Sequence, residues 1–211
     1  MQGIFAGSMK QNYVGHIMAE IYKEKVYEPF LKHGMTILEV GGNVGIVTLY
    51  LSEYARKLFV MEPLKAHLKC LRKTVKFNKL EDVVIIPKAL DAKDGTRNFY
   101  FSDYNSTCCT LKVQWQEGYT EKVQCASMST ILEECKVDTI DFMKLDVEGS
   151  EIDILSSDSF AKEAPRIKSM LVEYHTWCGY QAEALECHLS RLGYKWNKVA
   201  SDASLYYAVR Q

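Results

Sequence analysis

Twice between Thr36 and Asn78 the chain repeats one pattern: a short apolar run, a turn, then apolar residues at helical spacing. The first run is Thr36-Ile37-Leu38-Glu39-Val40, broken by Gly41-Gly42 and followed by Val44, Val47, Leu51 and Tyr54. The second is Leu58-Phe59-Val60-Met61, ended by Glu62-Pro63 and followed by a predicted helix from Leu64 to Asn78 with Leu68, Leu71 and Val75 inward. Strands joined through helices return by right-handed crossovers, so the alternation predicts an α/β fold built on a mainly parallel sheet. Val83 to Pro87 gives a third strand, Ile140 to Leu145 a fourth and Lys168 to Tyr174 a fifth. Helices are expected over Ile131 to Cys135, from Glu151 to Leu155, and over Gln181 to Leu192, where Gly193 closes the last. Two further β runs, Tyr194 to Val199 and Leu205 to Val209, predict an antiparallel pair at the end of the sheet.

The rhythm breaks between residues 91 and 129. Alternation at Arg97, Phe99 and Phe101, and again at Thr120, Lys122 and Gln124, predicts an inserted antiparallel hairpin. Ahead of the sheet, residues 10–33 read as an N-terminal helical segment, with Val14, Ile17, Met18, Ile21, Tyr22 and Val26 on one face. Residues 1–9 (MQGIFAGSM) look like a vector-derived remnant, which leaves 10–211 as a single domain excised from something larger. The 26 basic and 27 acidic residues nearly cancel, so no global field favours nucleic acid or an anionic membrane. No apolar run reaches the roughly 20 residues that span a bilayer. Seven cysteines without a C-x-x-C pair read as reduced thiols, which points to a cytoplasmic protein.

The glycine turn carries the first functional signal. Glu39-Val40-Gly41-Gly42-Asn43-Val44-Gly45 lies at the carboxyl end of the first strand, where open α/β sheets bind ligands. Its spacing is not that of G-x-G-x-x-G, the phosphate-cradling dinucleotide fingerprint. A cationic cofactor without phosphates fits better, with Glu39 near its positive end. Glu62 ends the second strand about 20 residues on, the place for an acid that accepts hydrogen bonds from ribose hydroxyls. Either feature alone occurs without a ligand; together they favour an adenosine-containing cofactor.

Lys144-Leu145-Asp146-Val147-Glu148-Gly149-Ser150-Glu151 resembles the K-[IL]-D-[VI]-E-G-x-E signature of FkbM-type methyltransferases. Glu39 to Gly45 is similar to that family's D-[IV]-G-A-N-x-G, with Glu in place of its usual Asp. Met61-Glu62-Pro63 is similar to its F-E-P, Asn78 to its N-x-L region, Lys88-Ala89-Leu90 to its A-L segment and Gly193-Tyr194 to its closing G-Y. Ser129-Thr130-Ile131 stands where the family has T-L-D. The resemblance implies a class I methyltransferase fold: a Rossmann-like sheet, mostly parallel with an antiparallel C-terminal strand, helices on both faces and here an inserted hairpin. It implies S-adenosylmethionine as cofactor, bound by Glu39, Gly41, Gly42, Asn43, Gly45, Glu62, Pro63, Ala89, Leu90 and Asp146, and O-methylation of a carbohydrate. The chain is also similar to methyltransferase domains that follow glycosyltransferase domains in chlorovirus capsid-glycan enzymes. That likeness implies a rhamnose acceptor, fusion to glycosyltransferase domains and action in the host cytoplasm.

An alcohol is a poor nucleophile at neutral pH, so methyl transfer to it calls for positioning and for a base. Asp146 and Glu148 follow the fourth strand; Glu173 and His175 end the fifth, its expected neighbour. All four are candidate catalytic residues, and His175, with an ordinary pKa near neutrality, is the first choice for base. A divalent ion held by Asp146 and Glu173 is the alternative route to an activated hydroxyl, with the metal-free site preferred. Tyr104, Asn105 and Ser106 in the insertion and Trp177 and Tyr180 after the fifth strand are candidate sugar contacts, each also readable as packing or solvated surface. Against a nicotinamide oxidoreductase stand the missing third spacing glycine and the lack of a Tyr-x-x-x-Lys site. Against a nucleic-acid methyltransferase stands the lack of N-P-P-Y. A cofactor- or glycan-binding domain without catalysis remains the non-enzymatic reading.

Overall fold

The computed structural model describes residues 11–102, 105–112, 118–179, 181–199 and 205–211. In chain order they form α1 (Gln11–Tyr22), β1 (Met35–Val40), α2 (Ile46–Ser52), β2 (Ala55–Met61), α3 (Lys65–Phe77), β3 (Val83–Ile86), β4 (Ala89–Leu90) and β5 (Gly95–Ser102). There follow β6 (Asn105–Thr110), β7 (Tyr119–Ala126), α4 (Met128–Cys135), β8 (Phe142–Leu145), α5 (Glu151–Ser156), α6 (Asp158–Glu163), β9 (Ser169–Glu173), α7 (Ala182–Arg191), β10 (Tyr194–Lys198) and β11 (Leu205–Arg210).

The larger sheet has the order β10-β11-β9-β8-β1-β2-β3. The pairs from β9 through β8, β1 and β2 to β3 are parallel, and β11 runs antiparallel to both β9 and β10. This is the mainly parallel sheet expected from the alternation, in the Rossmann-like arrangement that the resemblance implies, with the terminal antiparallel pair in place.

Alternate residues of a strand face opposite sides, and a strand covered on both must be apolar throughout. Leu38, Val40, Phe59, Met61, Met143 and Leu145 pack with residues of α4, α5, α6 and α7. Ile37, Leu58, Val60 and Phe142 pack with residues of α1, α2 and α3 on the other face. The near-continuous apolar strands in the sequence are thus the signature of a sheet sandwiched between two helical layers. Helix α1 stops at Tyr22, and the rest of the predicted N-terminal helical segment is a 3-10 turn over Glu28–Phe30 with Pro29 at its start, a position where proline lacks no needed N–H.

The insertion is larger than the single hairpin expected. It is a second sheet in the order β4-β7-β5-β6, with β5 and β7 antiparallel, β6 antiparallel to β5, and β4 parallel to β7. The extra strand β6, Asn-Ser-Thr-Cys-Cys-Thr, has no apolar alternation, so nothing in its residue pattern marks it as a strand. Phe99 and Val123 are buried with Leu64, Ala89 and Cys125 in a small core of their own.

Asp141 fastens the amino ends of the central strands. Its carboxylate accepts the Thr36 backbone N–H at 2.8 Å and the Lys168 ammonium at 2.7 Å. Burial works against the charge, but these hydrogen bonds prevail and hold the carboxyl below its usual range. A depressed carboxyl contributes stability above its unfolded pKa of about 3.9, and that contribution is lost as pH falls through the folded value. Asp141→Asn should therefore cost up to about 1 kcal/mol at neutral pH, since the Lys168 side chain is 65% exposed. In urea titrations the difference from wild type should vanish at strongly acid pH; a difference independent of pH would mean that the charge contributes nothing.

Candidate active site

The strand order reverses direction at β1 and β8, and the carboxyl ends of those strands open into a cavity of about 320 Å³. Its floor is the turn after β1. Gly41 and Gly42 both donate their N–H groups to the Met61 carbonyl, which folds the turn back over β2. Gly41 has φ +91°, and a Cβ there would stand 2.1 Å from the backbone oxygen of Asp146. At Gly42 a Cβ would meet Val60 Cγ1 at 2.3 Å. Only a chain without side chains at both positions brings the backbone flush with the cavity.

Glu62 locks that floor from the end of β2. One carboxylate oxygen accepts the Asn43 N–H at 2.8 Å, the other accepts the Leu64 N–H at 2.8 Å, and His67 Nδ1 lies 3.5 Å from the latter. Each oxygen keeps a second lone pair for a ribose hydroxyl. Pro63, His67, Ala89 and Leu90 line the same wall. Among the expected cofactor residues, Gly41, Gly42, Asn43, Glu62, Pro63, Ala89, Leu90 and Asp146 all face the cavity.

Two expected cofactor contacts act from behind. Glu39 shares the face of β1 that points to α2, so it is fully buried and accepts Thr48 Oγ1 at 2.7 Å rather than lining the cavity. Burial pushes its pKa up to about 7 against the opposing pull of Lys144. Gly45 is likewise displaced: it starts α2 with φ +92°, and its missing side chain makes room for Leu71 and Thr74 of α3.

The cofactor expected from the sequence fits this chamber. The carboxylates of Glu20, Glu62, Asp146, Glu148 and Glu173 face it, against His67, Lys88 and Lys144, a balance that suits a cationic ligand. Asn43 Oδ1 is buried there without a hydrogen-bond partner. Glu62→Ala should remove charge-assisted hydrogen bonds worth about 1.5 to 3 kcal/mol, and so raise the Kd for an adenosine cofactor roughly 10- to 150-fold. Because Glu62 also holds the Asn43 and Leu64 N–H groups, the variant should melt lower as well. An unchanged Kd in titration calorimetry would remove Glu62 from the cofactor site.

Beyond the floor lies the acidic mouth. Lys144 Nζ, 5% exposed, pairs with Asp146 Oδ2 at 2.8 Å and donates to the Gly41 carbonyl at 3.2 Å, so the signature strand and the glycine turn are cross-tied. After β8 the backbone turns sharply through Glu148 (φ +54°) and Gly149 (φ +103°), which swings Glu148 toward the end of β9. His175 sits there with Nε2 3.2 Å from Glu148 Oε2, 3.8 Å from Glu173 Oε1 and 4.0 Å from Asp146 Oδ1. The four residues named as catalytic candidates are therefore brought together.

Their charge states alter the roles read from sequence. Burial alone would lower the His175 imidazole, yet its hydrogen bond to Glu151 and the charges of Glu148, Glu151 and Asp146 outweigh it and push the pKa up to about 9. These contacts favour the imidazolium at neutral pH, the form without a lone pair for a proton, where the ordinary pKa suggests a base. Burial followed by the Asp146 charge pushes Glu148 up to about 8, while the Asp146 charge followed by burial pushes Glu173 up to about 7.

Of the expected sugar contacts, Trp177 is 41% exposed beside the mouth, its ring edge-on to His175 with centroids 6.1 Å apart. Tyr104 and Tyr180, and the side chains of Asn105 and Ser106, lie outside the described residues. Sequence reading missed His67, Phe99, Lys144 and Glu151. His67 had a legible signal, since it falls between Leu64 and Leu68 on the inner face of α3; the reach of Phe99 into the cavity had none.

Residues 39–196 match the model of the methyltransferase FkbM domain. No curated protein sequence matches the chain. Among solved structures, the fold is similar to that of the methyltransferase FkbM from Methylobacillus flagellatus KT, with a TM-score of 0.56 and 12% identity over 93% of this chain and 53% of that one. The chain thus spans about half the length of that protein. It is similar to magnesium protoporphyrin IX methyltransferase from Synechocystis PCC 6803 with bound S-adenosylmethionine (TM-score 0.58, 10% identity, 99% of this chain and 88% of that one). A further likeness is to an S-adenosylmethionine-dependent methyltransferase from Aquifex aeolicus (TM-score 0.51, 15% identity, 95% and 97%). Among the described residues no helix is long and apolar enough to cross a membrane.

Proposed function

Since the chain belongs to the FkbM methyltransferase family, we propose that this S-adenosylmethionine-dependent methyltransferase acts on a hydroxyl group of a sugar in a glycan or glycoconjugate. Bound S-adenosylmethionine supplies a sulfonium-activated methyl group. The observation that carries the acceptor reading is the acidic mouth: Asp146, Glu148 and Glu173 stand on the cavity wall beside the cofactor floor. Carboxylates accept hydrogen bonds from vicinal hydroxyls, and an exposed tryptophan at the rim offers a flat face to sugar C–H surfaces.

In this reading the floor residues set the cofactor's position and Glu62 holds its ribose. Asp146, tied to Lys144, keeps one oxygen for an acceptor hydroxyl and orients it in line with the methyl group. Glu173, on the cavity wall with a side chain 42% exposed, takes the departing proton and can pass it to water. Rhamnose is the sugar to test first, and fusion to glycosyltransferase domains in a cytoplasmic enzyme would place the acceptor's synthesis beside its methylation. The decisive experiment is an acceptor panel of free and oligomeric deoxysugars, with phenolic and carboxylate acceptors as controls, read by mass spectrometry. Methylated sugar is expected; transfer to the controls alone would overturn the carbohydrate reading.

A further inference from the structure

The acidic mouth holds more than hydroxyl acceptors. Asp146, Glu148 and His175 bring one ligand atom each to within 4.8 Å of the others, from two segments far apart in sequence, the turn after β8 and the end of β9. The imidazole is held from behind: Nδ1 lies 2.9 Å from Oε1 of Glu151, a fully buried carboxylate that also accepts the Gly149 N–H at 3.0 Å and the Val147 N–H at 3.3 Å. A carboxylate on one ring nitrogen fixes the tautomer and aims the other nitrogen, the arrangement that orients metal-binding histidines. Here the aimed nitrogen, Nε2, faces Glu148 and Asp146. Oε2 of Glu148, toward which it points, is buried and receives no hydrogen bond. Asp146 spends Oδ2 on Lys144 and turns Oδ1 toward the same point. Four carboxylates, those of Asp146, Glu148, Glu151 and Glu173, surround the spot against the Lys144 ammonium, and a bound cation takes the Nε2 lone pair of His175 and the Glu148 oxygen in place of protons. Partly buried negative charge in excess calls for a cation.

We propose that Asp146, Glu148 and His175 form a divalent-cation site, with Glu151 as the positioning residue for His175. Two carboxylates and one imidazole suit a hard to borderline ion of the manganese or magnesium kind. Three protein ligands leave coordination positions open. On the carbohydrate reading above, those positions take two adjacent sugar hydroxyls, whose acidity the cation raises. Glu173, which sequence analysis paired with Asp146 as a ligand, falls outside the triangle and stays available for the proton.

The test uses Mn²⁺ alone, added to chelator-treated protein and followed by the loss of the free-ion electron paramagnetic resonance signal. One site per chain is expected. His175→Ala and Glu148→Gln should each weaken it at least about 10-fold, and Glu151→Ala about 10- to 100-fold, while Glu151→Gln, which still accepts from Nδ1–H, should restore much of the loss. Each variant is checked for folding by its Kd for S-adenosylmethionine, measured without metal. Wild type and His175→Ala taking up Mn²⁺ equally, or no stoichiometric uptake by wild type, would overturn the site. Failure here is distinct from failure of the carbohydrate reading: a chelator-treated enzyme that methylates sugars at full rate defeats the cation and spares the acceptor, whereas tight Mn²⁺ binding with no sugar product does the reverse.

Discussion

On the proposal that Asp146 orients the acceptor, Asp146→Asn should lower kcat by about 10² to 10⁴ while changing the Kd for S-adenosylmethionine much less. The substitution keeps the shape of the side chain and an oxygen that can accept from Lys144. It does not leave stability untouched. Lys144 is 5% exposed, and the ammonium that Asp146 pairs with also donates to the Gly41 carbonyl and thereby ties β8 to the glycine turn, so a fall in melting temperature should accompany the kinetic loss. Single-turnover rates at saturating cofactor separate the two effects. Turnover within tenfold of wild type would reduce Asp146 to an anchor for Lys144 and remove it from the chemistry.

Gly41→Ala should be strongly destabilising. Two costs combine there: a left-handed backbone at φ +91° and a Cβ 2.1 Å from the Asp146 carbonyl oxygen, which belongs to backbone and cannot rotate away. Strain of this kind costs about 1 to 3 kcal/mol and overpacking a further 1 to 3 kcal/mol. Gly34→Ala isolates the first term, since Gly34 has φ +85° and a Cβ there meets nothing within 4 Å. The Gly41 variant is expected to unfold at distinctly lower denaturant than the Gly34 variant and to bind S-adenosylmethionine poorly, because the turn must shift to admit the methyl group. Equal destabilisation of the two would mean that the turn does not press against the Asp146 backbone just beyond β8.

The parallel sheet was readable because its strands are covered on both sides, which forces continuous apolar runs such as Leu58 to Met61. Residues that lie at strand ends were readable too, since Glu62, Asp146 and Glu173 inherit their positions from the strands that carry them. Legibility ended where a side chain's role depends on which face of its strand it occupies. Glu39 looked like a cofactor contact, but strand parity sends it to Thr48 under the turn. His175 looked like a base by its ordinary pKa, and only the approach of Glu148 and Glu151 across the gap between strands reverses that. Glu151 was visible as the last letter of the signature; its contact with His175, 24 residues away, depends on β8 and β9 lying side by side.

The second sheet leaves the main fold at Ala89-Leu90 and comes back at Cys125-Ala126, and those two dipeptides are paired to each other as β4 and β7. Departure and return are therefore neighbours, like the two jaws of a clip. Insertions into this excursion cost little more than the entropy of closing a longer loop, roughly 0.6 kcal/mol per doubling, so long as Phe99 and Val123 keep their packing with Leu64 and Ala89. Phe99 and Leu111 reach the cavity from this excursion, whereas the cofactor floor and the signature acids belong to the main fold. The architecture thus separates the turn and strand ends that frame the cofactor floor from an excursion that can grow at its far end without moving them.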